Sequence, residues 1–143
     1  MTQQIIIDPD MAWAAFDRRD RDYDGRFVGA GRYLTFRNTS TGTSASTLLL
    51  LNDASNNTVR SCIVEGATTS TSFGVVGFNT GTVTGNDNNF ITDNQVRDLS
   101  TAAGVPRILV GSTGSSASVA KSNNTISNNE LFNFISSGIY ITT

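Results

Sequence analysis

The amino-acid sequence predicts an all-β protein: a parallel β-helix (β-solenoid) of about three to four coils with an N-terminal capping α-helix. Two observations carry the prediction of the coils. An Asn-Asn-x-(Val/Ile) element recurs at intervals of 32 and 35 residues, and the surrounding chain is rich in Ser, Thr, Asn, Gly and β-branched residues. These residue types form turns and strands readily and helices poorly. A helical solenoid is therefore excluded.

Three copies of the repeat can be aligned. Residues 56–66 align with residues 88–98 and with residues 123–133. Further short apolar runs lie between the copies and on either side of them, so each period holds at least two strands and their turns. A propeller blade needs four strands in a longer period, whereas a solenoid coil of two or three strands fits this spacing.

The alignment predicts which side chains stack. Equivalent residues of successive coils lie about 4.8 Å apart, so each alignment column becomes a ladder. Buried amides in such a ladder can hydrogen-bond along the stack. Cys62 stands in an asparagine column and is interpreted as a small filler, because no His or Lys neighbours it. The predicted ladders are Val59, Ile91 and Ile126; Asn57, Asn89 and Asn124; and Cys62, Asn94 and Asn129.

The first 30 residues have a different composition. They contain six of the twelve acidic residues and four of the ten basic ones. Asp8 and Pro9 form an N-cap followed by a first-turn proline, and apolar residues follow at helical spacing. We predict a helix over residues 9–19 within a cap segment, 1–30, that places Trp13 and Phe16 over the first coil of a β-helix at residues 31–143.

Composition argues against several partner classes. The formal net charge of -2 leaves no basic surplus for nucleic acid or an anionic membrane. The chain has no histidine, and its one cysteine allows neither an internal disulfide nor a Cys-Cys zinc site. The start lacks the features of a signal peptide, and apolar runs such as residues 48–51 are too short to span a membrane.

One segment matches the start of a calcium-binding loop. Asp20, Asp22, Asp24 and Gly25 fit the first six positions, D-x-D-x-D-G, of an EF-hand loop. The twelfth position is Gly31, where the loop needs a bidentate carboxylate. We interpret the segment as a solvated charged turn and expect no calcium or other cofactor.

Stacking also tests for the paired carboxylates that glycosidases use. No carboxylate falls above another: Glu65 shares its column with Arg97, and Asp98 shares its column with Asn133. Arg97 and Asp98 are consecutive and point to opposite faces of a strand. We therefore expect an Arg97–Glu65 ion pair and no catalytic residue, although loops remain an alternative source of a site. Five aromatic side chains could stack on sugars, but packing is favoured for them: Tyr33, Phe90, Phe132, Phe134 and Tyr140.

Residues 123–129 (Asn-Asn-Thr-Ile-Ser-Asn-Asn), with residues 31–39 (Gly-Arg-Tyr-Leu-Thr-Phe-Arg-Asn-Thr), resemble the right-handed parallel β-helix repeats of large bacterial surface or secreted proteins. The resemblance points to the pectate-lyase-like superfamily and implies a right-handed coil and a secreted or cell-surface location. That superfamily includes lyases, hydrolases, adhesins and inert stalks, so the resemblance leaves the activity open.

The start of the chain resembles another family. Residues 8–16 (Asp-Pro-Asp-Met-Ala-Trp-Ala-Ala-Phe), followed by residues 19–20 and 24–28, are similar to the opening of the Ada-type methylphosphotriester DNA-repair domain. That family continues into a cysteine-rich zinc site, whereas no zinc cysteines follow here, so the repair activity is not implied. The resemblances meet near residues 24–30, and we interpret the chain as a chimera or a fragment.

These observations predict a non-enzymatic structural or adhesive module whose polar Ser/Thr/Asn face binds glycans. The alternatives are a fragment of a polysaccharide lyase or glycoside hydrolase and, as an outside alternative, an inactive remnant of a DNA-repair domain. Residues 136–143 stop in or just after a strand, and an open strand edge invites pairing with another chain. We therefore expect as partners a polysaccharide and a second copy of the chain, which associates through the C-terminal coil.

Overall fold

A computed structural model describes residues 22–27, 29–99 and 104–142, together with the backbone of residues 4–6 and 15–16. Over these ranges the chain consists of strands, turns and a single 3₁₀ helix at Ala117–Val119. The strands are β1 (Gln4–Ile6), β2 (Ala15–Phe16), β3 (Asp22–Asp24), β4 (Leu34–Arg37), β5 (Leu48–Leu50), β6 (Thr58–Arg60), β7 (Cys62–Glu65), β8 (Val76–Phe78), β9 (Phe90–Thr92), β10 (Gln95–Arg97), β11 (Ile108–Ser112), β12 (Thr125–Ser127), β13 (Glu130–Leu131) and β14 (Ser137–Ile141).

The strands form three parallel sheets. Sheet A contains β1, β4, β7, β10 and β13, sheet B contains β2, β5, β8, β11 and β14, and sheet C contains β3, β6, β9 and β12. Each circuit of the chain thus supplies one strand to each sheet, and every strand pairs with its counterpart one circuit away. The predicted all-β parallel β-helix is confirmed, with about four coils.

The core lies inside the coils and is built from columns of apolar side chains. Val59 pairs with Ile91, and Ile91 pairs with Ile126, which is the register that the aligned repeats predict. In sheet A, Val64 of β7 lies opposite Val96 of β10. Val59 and Ile91 are each 1% exposed. Burying a side chain of this size contributes roughly 1.5–3 kcal/mol, so the columns provide the main apolar stabilisation.

The corners between sheets explain why the repeat contains so much asparagine. The first asparagine of each repeat adopts a left-handed backbone conformation, and so does the residue five positions later. Asn accepts this conformation more readily than most residues because its short side chain can hydrogen-bond locally. The φ angles are +58°, +55° and +56° at Asn56, Asn88 and Asn123, and +52°, +57° and +54° at Ser61, Asp93 and Asn128. Each repeat therefore encodes two corners.

The predicted N-terminal cap segment, residues 1–30, lies only partly within the described residues. The helix predicted over residues 9–19 falls mostly outside the described residues, as do Trp13 and the side chain of Phe16; within it, Ala15–Phe16 form β2. In the segment that was predicted as a cap, β3 pairs with β6, and Tyr23 lies opposite Val59. The parallel pairing therefore begins before residue 31.

Candidate functional site

The first polar ladder runs through the second asparagine of each repeat. The Oδ1 of Asn89 accepts hydrogen bonds from the backbone N–H and the Nδ2 of Asn57, at 3.1 and 2.9 Å. The Oδ1 of Asn124 accepts the same two bonds from Asn89, at 3.0 Å each. Asn57 and Asn89 are buried, so their polar atoms need partners within the protein. The ladder supplies these partners by linking each coil to the next.

The second polar ladder contains Cys62, Asn94 and Asn129. The backbone N–H of Cys62 donates to the Oδ1 of Asn94 at 2.9 Å, and the Nδ2 of Asn94 donates to the Oδ1 of Asn129 at 3.1 Å. The Cys62 thiol donates to the carbonyl oxygen of Arg60 at 3.1 Å. Burial raises the pKa of this thiol to about 12. A thiol that stays protonated at neutral pH is a poor nucleophile, so Cys62 acts here as a packed side chain.

A charged column lies in sheet A. Strands β4, β7 and β10 place Arg37, Glu65 and Arg97 opposite one another. The Glu65 side chain is 1% exposed; its Oε2 lies 2.6 Å from the Nη2 of Arg37, and its Oε1 lies 2.6 Å from the Nη2 of Arg97. The guanidinium carbon of Arg97 also lies 5.9 Å from the centre of the Phe132 ring. One buried carboxylate therefore holds three coils together.

The sequence predicted one of the two ion pairs in this column. The expected Arg97–Glu65 ion pair is present, whereas Arg37 was missed because β4 carries no Asn-Asn signature. The available signal was the alternation in residues 34–37, which lie opposite residues 62–65. Asp98, next to Arg97, accepts a hydrogen bond from the Nδ2 of Asn133 at 3.2 Å. The two residues that most resemble a lyase pair thus take part in separate contacts.

Asp22 and Asp24, from the segment that matches the start of a calcium loop, form ion pairs with arginines. Asp24 lies 2.6 Å from the Nη2 of Arg26, and Arg60 pairs with both Asp22, at 3.1 Å, and Asp24, at 3.0 Å. The hydrogen bonds from Arg26 hold the pKa of Asp24 well below its usual range. Asp20 lies outside the described residues. Within the described ranges, no three metal-ligating side chains come together.

A loop wraps around the carboxylate of Asp53. The backbone N–H groups of Thr82, Val83, Thr84 and Gly85 donate to this carboxylate at 2.9 to 3.1 Å, and the Oγ1 of Thr82 donates at 2.6 Å. The Thr82 hydroxyl, followed by the backbone donors, holds the pKa of Asp53 well below its usual range. Gly85 has a φ of +99°, a conformation that suits glycine in such a turn. This contact was not predicted from the sequence.

A groove of about 390 Å³ with a mixed polar and apolar lining lies beside sheet A, at its corner with sheet C. Its first wall is the loop segment of Gly31 and Arg32. The N–H of Tyr33, which follows this segment, donates to the Gly25 carbonyl oxygen at 2.7 Å. The opposite wall consists of outward-facing residues of β7 and β10 and the corner residues that precede them. The lining residues are Gly31, Arg32, Ser61, Ile63, Asp93 and Gln95.

Arg32 ties this loop to the coils. Its Nε donates to the carbonyl oxygen of Asp93 at 2.7 Å, and its Nη1 donates to the Oε1 of Glu130 at 2.9 Å. The Nε2 of Gln95 donates to the Oε2 of the same carboxylate at 3.0 Å. Gln95 first, and Arg32 second, lower the pKa of Glu130. The tether fixes the shape of the groove.

Two exposed aromatic rings lie outside the groove lining, with Tyr33 next to Gly31 and Phe27 against Tyr33. The ring centres of Phe27 and Tyr33 are 6.3 Å apart, and the two side chains are 75% and 43% exposed. A Cβ added to Gly31 would come within 2.6 Å of the Tyr33 ring, so this ring lies directly against the groove wall. The other aromatic candidates lie elsewhere: Phe90 in β9, Phe132 beside Arg97, Phe134 before β14 and Tyr140 in β14.

The fold and its ladders define the chain as a parallel β-solenoid. No protein-family model, no curated protein and no solved structure matches this chain. The assignment therefore rests on the strand registers. In the part of the chain that the structure describes, no helix is both long and apolar enough to cross a bilayer.

Proposed function

We propose that this chain is a non-enzymatic structural or adhesive module that works at a cell surface or in secreted material and binds glycans along a polar side. The observation that carries this proposal is the column of Arg37, Glu65 and Arg97, in which a 1% exposed carboxylate joins three successive coils. The three charged groups of this column hold neighbouring coils together.

The surroundings of other carboxylates support a structural role. Cleavage of a glycosidic bond usually needs a carboxylic acid that can donate a proton near neutral pH. Hydrogen bonds from Gln95 and Arg32 lower the pKa of Glu130, and those from the Thr82 hydroxyl and then from backbone N–H groups lower the pKa of Asp53. A carboxyl group with a lowered pKa remains ionised and is a poor proton donor at neutral pH.

The same proposal includes self-association through the C-terminal coil. Strands β12, β13 and β14 are the last strands of their sheets in the described chain. The interior column of sheet B becomes exposed there, from 1% at Val110 to 47% at Ile139, and Ile141 is 66% exposed. Open strand edges beside apolar side chains favour pairing with a second chain.

The test is to incubate the protein with neutral and acidic polysaccharides and to measure both binding and new chain ends. We expect binding without an increase in reducing ends or unsaturated sugars. Cleavage products that disappear in Asp98→Asn would overturn the structural proposal and favour the polysaccharide lyase or hydrolase alternative. Asp98→Asn suits this purpose because Asp98 lies outside the Glu65 column and the substitution keeps a similar shape.

A further inference from the structure

We propose that the groove between Arg32 and sheet A binds a neutral oligosaccharide, with Tyr33 and Phe27 as the surface on which the sugar stacks. This inference rests on the glycan-binding part of the proposed function and assigns that binding to one site. It follows from the shape of the groove, from the chemistry of its lining and from its charge.

The shape suits a short stretch of a linear ligand. The groove volume of about 390 Å³ lies within the range of roughly 300–1,000 Å³ that is common for small-molecule sites. The hydrogen bonds from Arg32 to Asp93 and Glu130, 2.7 and 2.9 Å long, hold the loop wall in place before a ligand arrives. A wall that is already ordered reduces the entropy lost on binding.

The chemistry of the lining matches both faces of a sugar ring. A pyranose has an edge of hydroxyl groups, which need donors and acceptors, and an apolar C–H face, which stacks on aromatic rings. Asp93, Gln95 and Ser61 bring a carboxylate, an amide and a hydroxyl to the groove. Tyr33, whose ring lies against Gly31, and Phe27, which packs edge-on against Tyr33, supply exposed rings beside the groove. A sugar unit that extends past Gly31 can stack on them.

The charge of the groove selects a neutral sugar. The guanidinium of Arg32 is matched by Glu130, and the guanidinium of Arg26 nearby is matched by Asp24. The carboxylate of Asp93, which lines the groove, also interacts electrostatically with Arg26. The carboxylates in this region nevertheless outnumber the guanidinium groups that face them: Asp22, Asp24, Asp93 and Glu130 against Arg26, Arg32 and Arg60. The remaining negative charge disfavours uronate sugars, whose carboxylates it would repel.

The experiment is a titration of the ¹⁵N-labelled chain, followed by backbone and side-chain amide shifts, with cellohexaose, xylohexaose, galactohexaose and hexagalacturonate. At least one neutral hexasaccharide should shift the amides of Arg32, Ser61, Asp93 and Gln95 at millimolar concentration, and hexagalacturonate should bind more weakly. Tyr33→Ala should lower the affinity about tenfold. Phe27→Ala should weaken binding in the same direction and serves as the second variant if Tyr33→Ala does not fold.

Phe90→Ala is the matched control, because Phe90 is 45% exposed, close to the 43% of Tyr33, but lies on sheet C. Asp93→Asn keeps a residue type that accepts the φ of +57°. Because it removes a negative charge, it should reduce the difference in affinity between the neutral hexasaccharides and hexagalacturonate. The site is refuted if no neutral sugar shifts the groove amides or if the shifts map elsewhere on the chain. It is also refuted if hexagalacturonate binds more tightly than the neutral hexasaccharides, or if Phe90→Ala weakens binding as much as Tyr33→Ala. New anomeric signals in the same samples would instead refute the non-enzymatic function.

Discussion

Adjacent asparagines in this chain perform different tasks. Asn88 is exposed and turns the backbone at a corner with a φ of +55°, whereas Asn89 is buried and hydrogen-bonds to both neighbouring coils. The first position needs a side chain that accepts a left-handed conformation, and the second needs an amide with donors and an acceptor along the stack. One residue type satisfies both requirements, and this explains why the Asn-Asn pair marks each repeat.

Glu65 gives the clearest prediction at the scale of single residues. In Glu65→Gln, two guanidinium groups that are 18% and 27% exposed lose their shared negative charge. Breaking a buried ion pair costs roughly 3–5 kcal/mol, and the partial exposure of both arginines places this case at the lower end. We expect the free energy of unfolding to fall by about 3 kcal/mol, as measured by urea denaturation.

The control for this prediction is Glu130→Gln. Glu130 also lies between an arginine and a glutamine of other coils, but its side chain is 54% exposed, so water screens its ion pair. A much smaller loss is expected. Equal losses in the two variants would show that burial of Glu65 does not set the strength of the column.

At the scale of the elements, the turn around Asp53 predicts a pH dependence. The pKa of Asp53 is lowered in the folded protein, so its contribution to stability is present above the ordinary aspartate pKa of about 4 and is lost as the pH falls towards the folded value. Asp53→Asn should therefore lose less stability than the wild type on acidification below about pH 4. Thermal unfolding midpoints measured at several pH values test this expectation.

Two substitutions in the same loop separate the carboxylate from its surroundings. Thr82→Val removes the hydroxyl donor and should reproduce part of the effect of Asp53→Asn. Val83→Ala keeps the backbone N–H that donates to Asp53 and changes a side chain that is 73% exposed, so it should retain the acid dependence of the wild type. If Asp53→Asn also retains this dependence, the proposed role of the turn is wrong.

Elements that carry the repeat were predictable from sequence, and the others were not. Strands β6, β9, β10, β12 and β13 follow Asn-rich corners, and β7 follows the equivalent corner at Ser61. The spacing of these corners fixes the register of the strands. Strands β3 and β4 have no such corner, so the pairing of Tyr23 with Val59 and the contact of Arg37 with Glu65 left only a faint signal. Two further contacts depend on how loops fold: Asp53 with the loop over residues 81–85, and Arg32 with Glu130. The alternation of apolar residues in the sequence does not encode loop conformations, so these contacts were not predicted.

At the scale of the whole molecule, the exposed apolar side chains of β14 predict concentration-dependent association. Multi-angle light scattering should show a mass above that of the 15.2 kDa chain as concentration rises. Ile141→Lys places a charge in β14, where Ile141 is 66% exposed, and should reduce this association, because edge lysines disfavour strand pairing. Val83→Lys, on a loop and 73% exposed, should leave it unchanged. A monomeric mass at all concentrations would exclude the proposed interface.

The central claim is that residues 32 and 35 positions apart stack in the interior of a parallel β-helix. Methyl–methyl nuclear Overhauser contacts in a selectively ¹³C-labelled chain test it most directly. Contacts are expected between Val59 and Ile91 and between Ile91 and Ile126, which pair in neighbouring coils, but not between Val59 and Ile126, which lie two coils apart. Absence of the two neighbouring contacts in the folded protein, or a direct contact between Val59 and Ile126, would contradict the stacked register.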